Sequence, residues 1–341
     1  MKKFDFCIGN PPYQIDQNGR TLPVYNNFMD AAYEVANVTE LITPARFLFN
    51  AGQTHKSWNK KMLSDEHLTV LAYSPTSDSY FNGVDIKGGV AITLRDKNRK
   101  YGAIDTFVPY PEMQKVLSKV KQDVNFTPLT NIVFTSSKYA LANIYRDHPD
   151  YRKFVKHKGK DSQIDTNAFE KMPIFKKEPV LDTEEKYIQL YGRANGKRAF
   201  YWTKSKYISD PGNLYKYKVF VAAVNGSGDF GIPLSSPVIG KPEVGSTQSF
   251  LGIGNFDTEI EAENLLKYLK GKFSRALLCT LKITHHNGPT TWTNIPLQDF
   301  TTNSDLDWSK TIHEIDLQLY KKYNLSKEEI DFIEKNVKEM N

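Results

Sequence analysis

Apolar residues crowd the start of the chain at Phe4, Phe6, Cys7 and Ile8 and stop at Gly9, which reads as a short buried strand. Residues 14–23 are polar and contain Asn18-Gly19 and Arg20, so they read as a loop. Tyr25, Phe28, Met29, Ala32, Tyr33 and Ala36 recur at helical spacing and predict an amphipathic helix. Residues 40–44 predict a second strand ending at Pro44, and 45–50 turn the chain back. Trp58, Met62 and Leu63, with Lys56, Lys60 and Lys61 outward, predict a second helix. Residues 68–73 and 88–94 predict two more strands, the latter entered by Gly88-Gly89, and 95–100 a charged turn. Strands alternating with helices argue for an α/β layer.

The rhythm then changes. Residues 113–120 allow a helix, 127–139 are β-like, and 146–160 are strongly basic with Tyr151 and Phe154 among the cations. Residues 217–224 form another β run, 226–245 a Gly/Pro/Ser-rich loop, and 276–283 a further apolar run. Thr258 with Glu261 and Ser326 with Glu329 are capping boxes, each opening a helix. A domain change falls between 105 and 125. The expected architecture is a catalytic α/β region over 1–110 and a mixed α+β domain over 111–341.

Composition narrows the class. A chain of 341 residues has room for two domains, and 40% hydrophobic residues exclude wholesale disorder. Cys7 and Cys279 each lie in an apolar run without zinc spacing, which reads as free buried thiols in a reducing compartment and no metal. No stretch approaches a membrane span, and the apolar run after Met1-Lys2-Lys3 is too short for a signal peptide, so a cytoplasmic protein is expected. A net charge of +6 leans toward a polyanionic partner without demanding one.

The candidate chemistry follows the first strand, as Asn10-Pro11-Pro12-Tyr13. Two prolines hold the backbone extended and remove two N–H donors, leaving carbonyls to accept from something other than a sheet neighbour. Asn10 adds an amide oxygen and Tyr13 a stacking face. Such a loop suits a flat ring held by its amino group. A Pro-Pro turn at a strand end is the plainer alternative.

Asn10-Pro11-Pro12-Tyr13 after an apolar strand resembles the catalytic motif of the amino-methylating DNA methyltransferases, specifically the adenine-specific (N6) enzymes of type II restriction-modification systems. Residues 41–48 resemble the strand and turn that follow that motif, 84–90 a later strand, and 295–300 with the closing Glu-rich helix the end of a target-recognition domain. The resemblance implies a partial Rossmann-like sheet, S-adenosylmethionine as methyl donor, and double-stranded DNA as partner. It implies catalytic roles for Asn10, Pro11, Pro12 and Tyr13, base stacking by Tyr13 and Phe81, and cofactor contacts from Asn10, Thr43 and Pro44. It favours DNA contacts from Arg20, Lys87, Arg193, Lys197, Arg198, Tyr201, Lys204 and Trp292.

Bland readings stand beside these. Residues 85–89 are equally a two-glycine turn before a strand. The cation–aromatic stretch 193–207 is equally a solvated hairpin with rings inside, and Lys153, Lys156, Lys158 and Lys160 a soluble face. His285-His286 face opposite ways on a strand, which disfavours a shared metal.

The pattern departs from the family at one place. The family's Gly-rich cofactor loop and ribose-binding acid normally precede the Asn-Pro-Pro-Tyr motif. Residues 250–257 offer a strand and G-x-G before a helix, but no ribose-binding acid follows the next apolar run, so a tight turn before a capped helix is the reading taken. The cofactor half is therefore expected to be absent here: supplied by a separate chain, or lost by truncation or a displaced start. The competing function is a DNA-binding target-recognition fragment without turnover.

Overall fold

The computed structural model describes residues 4–17, 19–78, 80–81, 83, 86, 88–155, 162–179, 184–226, 229–282 and 284–340. The chain divides into two compact units, Met1–Pro111 and Glu112–Asn341. The architecture is mixed α/β, with several small sheets. Among the described residues, no helix is long and apolar enough to cross a membrane.

Unit 1 runs β1 (Phe4–Gly9), β2 (Gln14–Gln17), β3 (Arg20–Pro23), α1 (Tyr25–Val35), β4 (Ala36–Pro44), a 3-10 turn (Ala45–Phe49), α2 (Lys56–Leu63), β5 (Leu68–Ser74) and β6 (Val90–Asp96). The main sheet has the order β1-β4-β6-β5. β1 and β4 are parallel, and β6 is antiparallel to both β4 and β5. α1 buries Tyr25, Met29 and Ala32, a three- and four-residue repeat that makes one apolar stripe, and connects β1 to β4. Beneath the 3-10 turn, the Phe47 ring meets Trp58 at 5.3 Å and Tyr25 at 6.3 Å.

Two expectations are corrected here. Residues 14–23 are a hairpin, with Gln14 opposite Pro23, and not a loop. Asn-Gly at a two-residue turn favours this geometry because both positions tolerate positive φ. β1 is not buried. Among the described residues it has a single sheet neighbour, and Phe4, Phe6 and Ile8 are 58, 69 and 76% exposed. Parallel strands are normally covered on both faces, so an apolar run at an open edge is unusual.

Unit 2 begins with α3 (Pro111–Gln122) and continues through β7 (Val133–Phe134), β8 (Lys138–Tyr139), α4 (Leu141–Asp147), α5 (Ala168–Lys171), β9 (Tyr187–Ala194), β10 (Lys197–Lys204), β11 (Ile208–Ser209), β12 (Tyr217–Ala222), β13 (Val238–Gly240), β14 (Val244–Ser246) and β15 (Phe250–Phe256). It ends in α6 (Glu259–Lys270), α7 (Lys272–Leu278), α8 (Ile312–Lys322) and α9 (Lys327–Asn336). Its larger sheets are ordered β13-β12-β15-β7 and β10-β9-β14. The Thr258–Glu261 and Ser326–Glu329 capping boxes form, and a third at Thr311–Glu314 opens α8. The apolar run from Ala276 begins inside α7, where Phe273, Ala276 and Leu277 are fully buried, and continues past the helix end at Leu278. The G-x-G of β15 is a tight bend: Gly254 takes φ +97° and its carbonyl accepts from the Asn213 side chain.

Candidate active site

Strand direction gathers the site. Because β1, β4 and β5 run one way and β6 the other, the ends of β1, β4 and β5 and the start of β6 lie at one edge of the sheet, where Pro44 and Ser74 both pair with Val90. That edge carries residues 10–13, the Arg46 turn, and the segment between β5 and β6 that contains Phe81. Ligands of open α/β sheets bind at carboxyl ends of strands for this reason.

Asn10, Pro11, Pro12, Tyr13 and Gln14 form one wall of a cavity of about 890 Å³, with Pro44, Arg46, Gly52 and Gln53 on a second and Phe81 and Ile86 on a third. Asn10 and Pro12 are exposed, and Tyr13 is half-buried. The Tyr13 carbonyl accepts from the Val24 N–H at 3.1 Å, which ties the loop to the start of α1. The Tyr13 and Phe81 rings meet edge to face, 6.1 Å apart at 76°. Burial pushes the Tyr13 phenol up to about 12, and among the described residues its hydroxyl has no hydrogen-bond partner. At that value the phenol is neutral at physiological pH.

Phe81 is held by a compact turn. Its N–H donates to the Ser77 carbonyl at 2.8 Å, and Ser77 Oγ accepts from the Ile86 N–H at 3.0 Å. Gly89 closes the turn: its carbonyl accepts from Ala45, and a Cβ there would lie 2.1 Å from the Ser74 carbonyl oxygen at φ +78°. Gly89→Ala should therefore destabilise unit 1 by more than about 1 kcal/mol. Gly83→Ala, with φ +74° but open space around it, should cost less. Urea midpoints of the two variants compare clash with backbone strain alone, and equal midpoints would contradict this account.

The structure places the expected site residues unevenly. Asn10, Pro11, Pro12, Tyr13, Phe81 and Pro44 share the cavity. Thr43 is fully buried in β4 and is not among the lining residues. Lys87 and the Arg20 side chain lie outside the described residues. In unit 2, Arg193, Lys197 and Arg198 collect at the turn of the β9–β10 hairpin, where Arg193 pairs across with Arg198. Arg198 is spent on Ser235 and Ser236, donating to both carbonyls at 2.6 Å, and Arg193 donates to Gly196. Lys204 pairs with Glu185 at 3.3 Å, and Tyr201 stacks on Phe169 at 4.3 Å. Trp292 is 1% exposed, so packing inside unit 2 leaves it no reach to a base. Lys197 alone of this set stands exposed with no partner described. Sequence reasoning missed Arg46 and Gln53, which the return of the chain after Pro44 brings to the cavity.

Residues 1–81 match the family model of the Eco57I restriction-modification methylase. Among solved structures, the type IIG restriction endonuclease BpuSI is similar at 9% identity with a TM-score of 0.30, over 87% of this chain and 44% of that one. The chain thus spans less than half the length of that enzyme. No curated protein matches. The matched stretch, residues 1–81, is the one that carries β1, the Asn10 loop, β4 and Phe81, and it is similar to that family model.

Proposed function

We propose that this chain carries the base-binding and target-recognition parts of an adenine-specific DNA methyltransferase. The observation that carries the reading is the Asn10-Pro11-Pro12-Tyr13 loop at the carboxyl end of β1, sharing a cavity with Phe81. In this reading the β1-β4-β6-β5 sheet is half of a Rossmann-like methyltransferase sheet, and unit 2 contacts duplex DNA through the Lys197 end of its hairpin.

An adenine enters after leaving the duplex, at a cost of roughly a few kcal/mol. The Asn10 side-chain oxygen and the Pro11 carbonyl accept its two amino protons, which draws the nitrogen lone pair out of the ring. Stacking on Tyr13 returns on the order of 1–3 kcal/mol. Phe81 lies beside Tyr13, with the ring planes at 76°, and forms a second aromatic surface for the entering base.

S-adenosylmethionine would supply the methyl group in this reaction, and the described residues offer only part of a site for it. The described lining of the cavity contains Asn10 and Pro44 and no carboxylate for the ribose hydroxyls. The edge of β1, with Phe4, Phe6 and Ile8 exposed, is where the strands of a cofactor half, on a separate chain or on a longer form of this one, would pair. The same shortage of cofactor contacts favours one second reading, a DNA-binding fragment without turnover.

The test gives the purified chain, alone and with a candidate complementing chain, adenine-containing duplex and labelled S-adenosylmethionine. Label on adenine is the expected result. Salt-sensitive DNA binding with no label under any combination would move the assignment to the second reading.

A further inference from the structure

The 3-10 turn after β4 carries a residue that base binding leaves unused. Among the described residues lining the cavity, Arg46 is the only charged one. The backbone fixes its stem. Ala51 N–H donates to the Arg46 carbonyl at 3.0 Å, Asn50 sits in the left-handed region at φ 52°, and Gly52 follows at φ +86°. A Cβ on Gly52 would lie 3.1 Å from Arg46 Cβ and 3.2 Å from its Cδ, so the loop lies directly against the aliphatic stem. Arg46 is half-buried, and its charge reaches the Tyr25 phenol, which it lowers against a larger opposing effect of burial.

A guanidinium whose stem is held this way has less rotamer entropy to lose when a ligand arrives. Its five N–H donors can serve a protein acceptor and a ligand together, in a fork that matches an oxyanion. A flat base occupies only part of a cavity of about 890 Å³, so there is room beside it for the group that Arg46 would take.

We propose that Arg46 is the oxyanion-binding residue of this site, holding either the phosphate attached to the entering nucleotide or the carboxylate of the methyl donor. This rests on the reading of the cavity as a base-binding site. Two arms distinguish the sources. In the first, the full chain is titrated with 2′-deoxyadenosine and with its 5′- and 3′-monophosphates. In the second, it is titrated with N-acetylmethionine, an anion, and with N-acetylmethioninamide, its neutral counterpart.

In the arm that applies, the anionic ligand should bind roughly tenfold or more tightly than its neutral counterpart. Arg46→Met should abolish that ratio while leaving the neutral ligand's affinity in place, and Arg46→Lys should keep part of it. A loss of packing alone would weaken both ligands and leave the ratio unchanged. If Arg46→Met preserves the ratio in both arms, the proposal is wrong. If Arg46→Met does not fold, an undiminished ratio in Arg46→Lys is the overturning result. Failure of the wild-type chain to bind deoxyadenosine at all would instead remove the base-binding reading, and this inference with it.

Discussion

Asn10→Ala should lower methyl transfer roughly 10²- to 10³-fold, the usual loss when one preorganised polar group at the reacting atom is deleted. The physical reason is local. In the proposed reading Asn10 offers an oxygen to an amino group whose lone pair is otherwise shared with the ring, and alanine offers nothing. Asn10 is exposed at the end of an edge strand, so its removal should leave the fold intact. Asn10→Asp keeps an acceptor and should fall less far. Single-turnover transfer with the active assembly, beside circular dichroism of each variant, separates chemistry from folding. An unchanged rate in Asn10→Ala would detach the amino group from this residue.

Phe47→Ala should have the largest effect on stability in unit 1. Its ring is fully buried and contacts both Trp58 and Tyr25. Deleting a buried Phe costs about 3–5 kcal/mol, lost transfer energy plus the cavity left behind. Whole domains hold about 5–15 kcal/mol, so unit 1 would be left close to its threshold. Because Phe47 follows Arg46 in the same turn, the loss should also loosen the Arg46 stem. Hydrogen exchange at the β4 and β6 amides reports on unit 1 alone. Protection there that survives Phe47→Ala would mean the ring cluster carries little of the stability.

What could be read from the sequence was what depends on near neighbours. The Thr258–Glu261 and Ser326–Glu329 caps close over three residues, so four letters carry the whole interaction. The bend at Gly254 before a capped helix is likewise local. The same logic extended to Thr311–Glu314, whose box is equally short, and to Asn18-Gly19, a turn signal that a polar composition masked. Long-range partners were not legible. Arg198 spends its guanidinium on serines 37 and 38 residues away, and Lys204 on Glu185 nineteen residues back. Their positions in a cation–aromatic run therefore said little about which charges face solvent. β1 failed for a different reason. An apolar run reports that a strand wants cover, and whether neighbours arrive on one side or two is decided by the rest of the sheet.

Within the site, Asn10 to Tyr13 stand in sequence order, while Arg46, Gln53 and Phe81 join them only through the strand order β1-β4-β6-β5. Periodicity gives each strand but not its neighbours, so Arg46 carried no signal beyond its place after Pro44.

The edge of β1 also bears on self-association of the isolated chain. The stretch Phe4–Gly9 contains no proline and a single charge, at Asp5, and presents unpaired backbone along one side. Those are the properties of segments that seed cross-β assembly. An edge of this kind is a template for pairing with another strand, so adding a charge at exposed Phe6 should reduce self-association of the isolated chain, as light scattering would read.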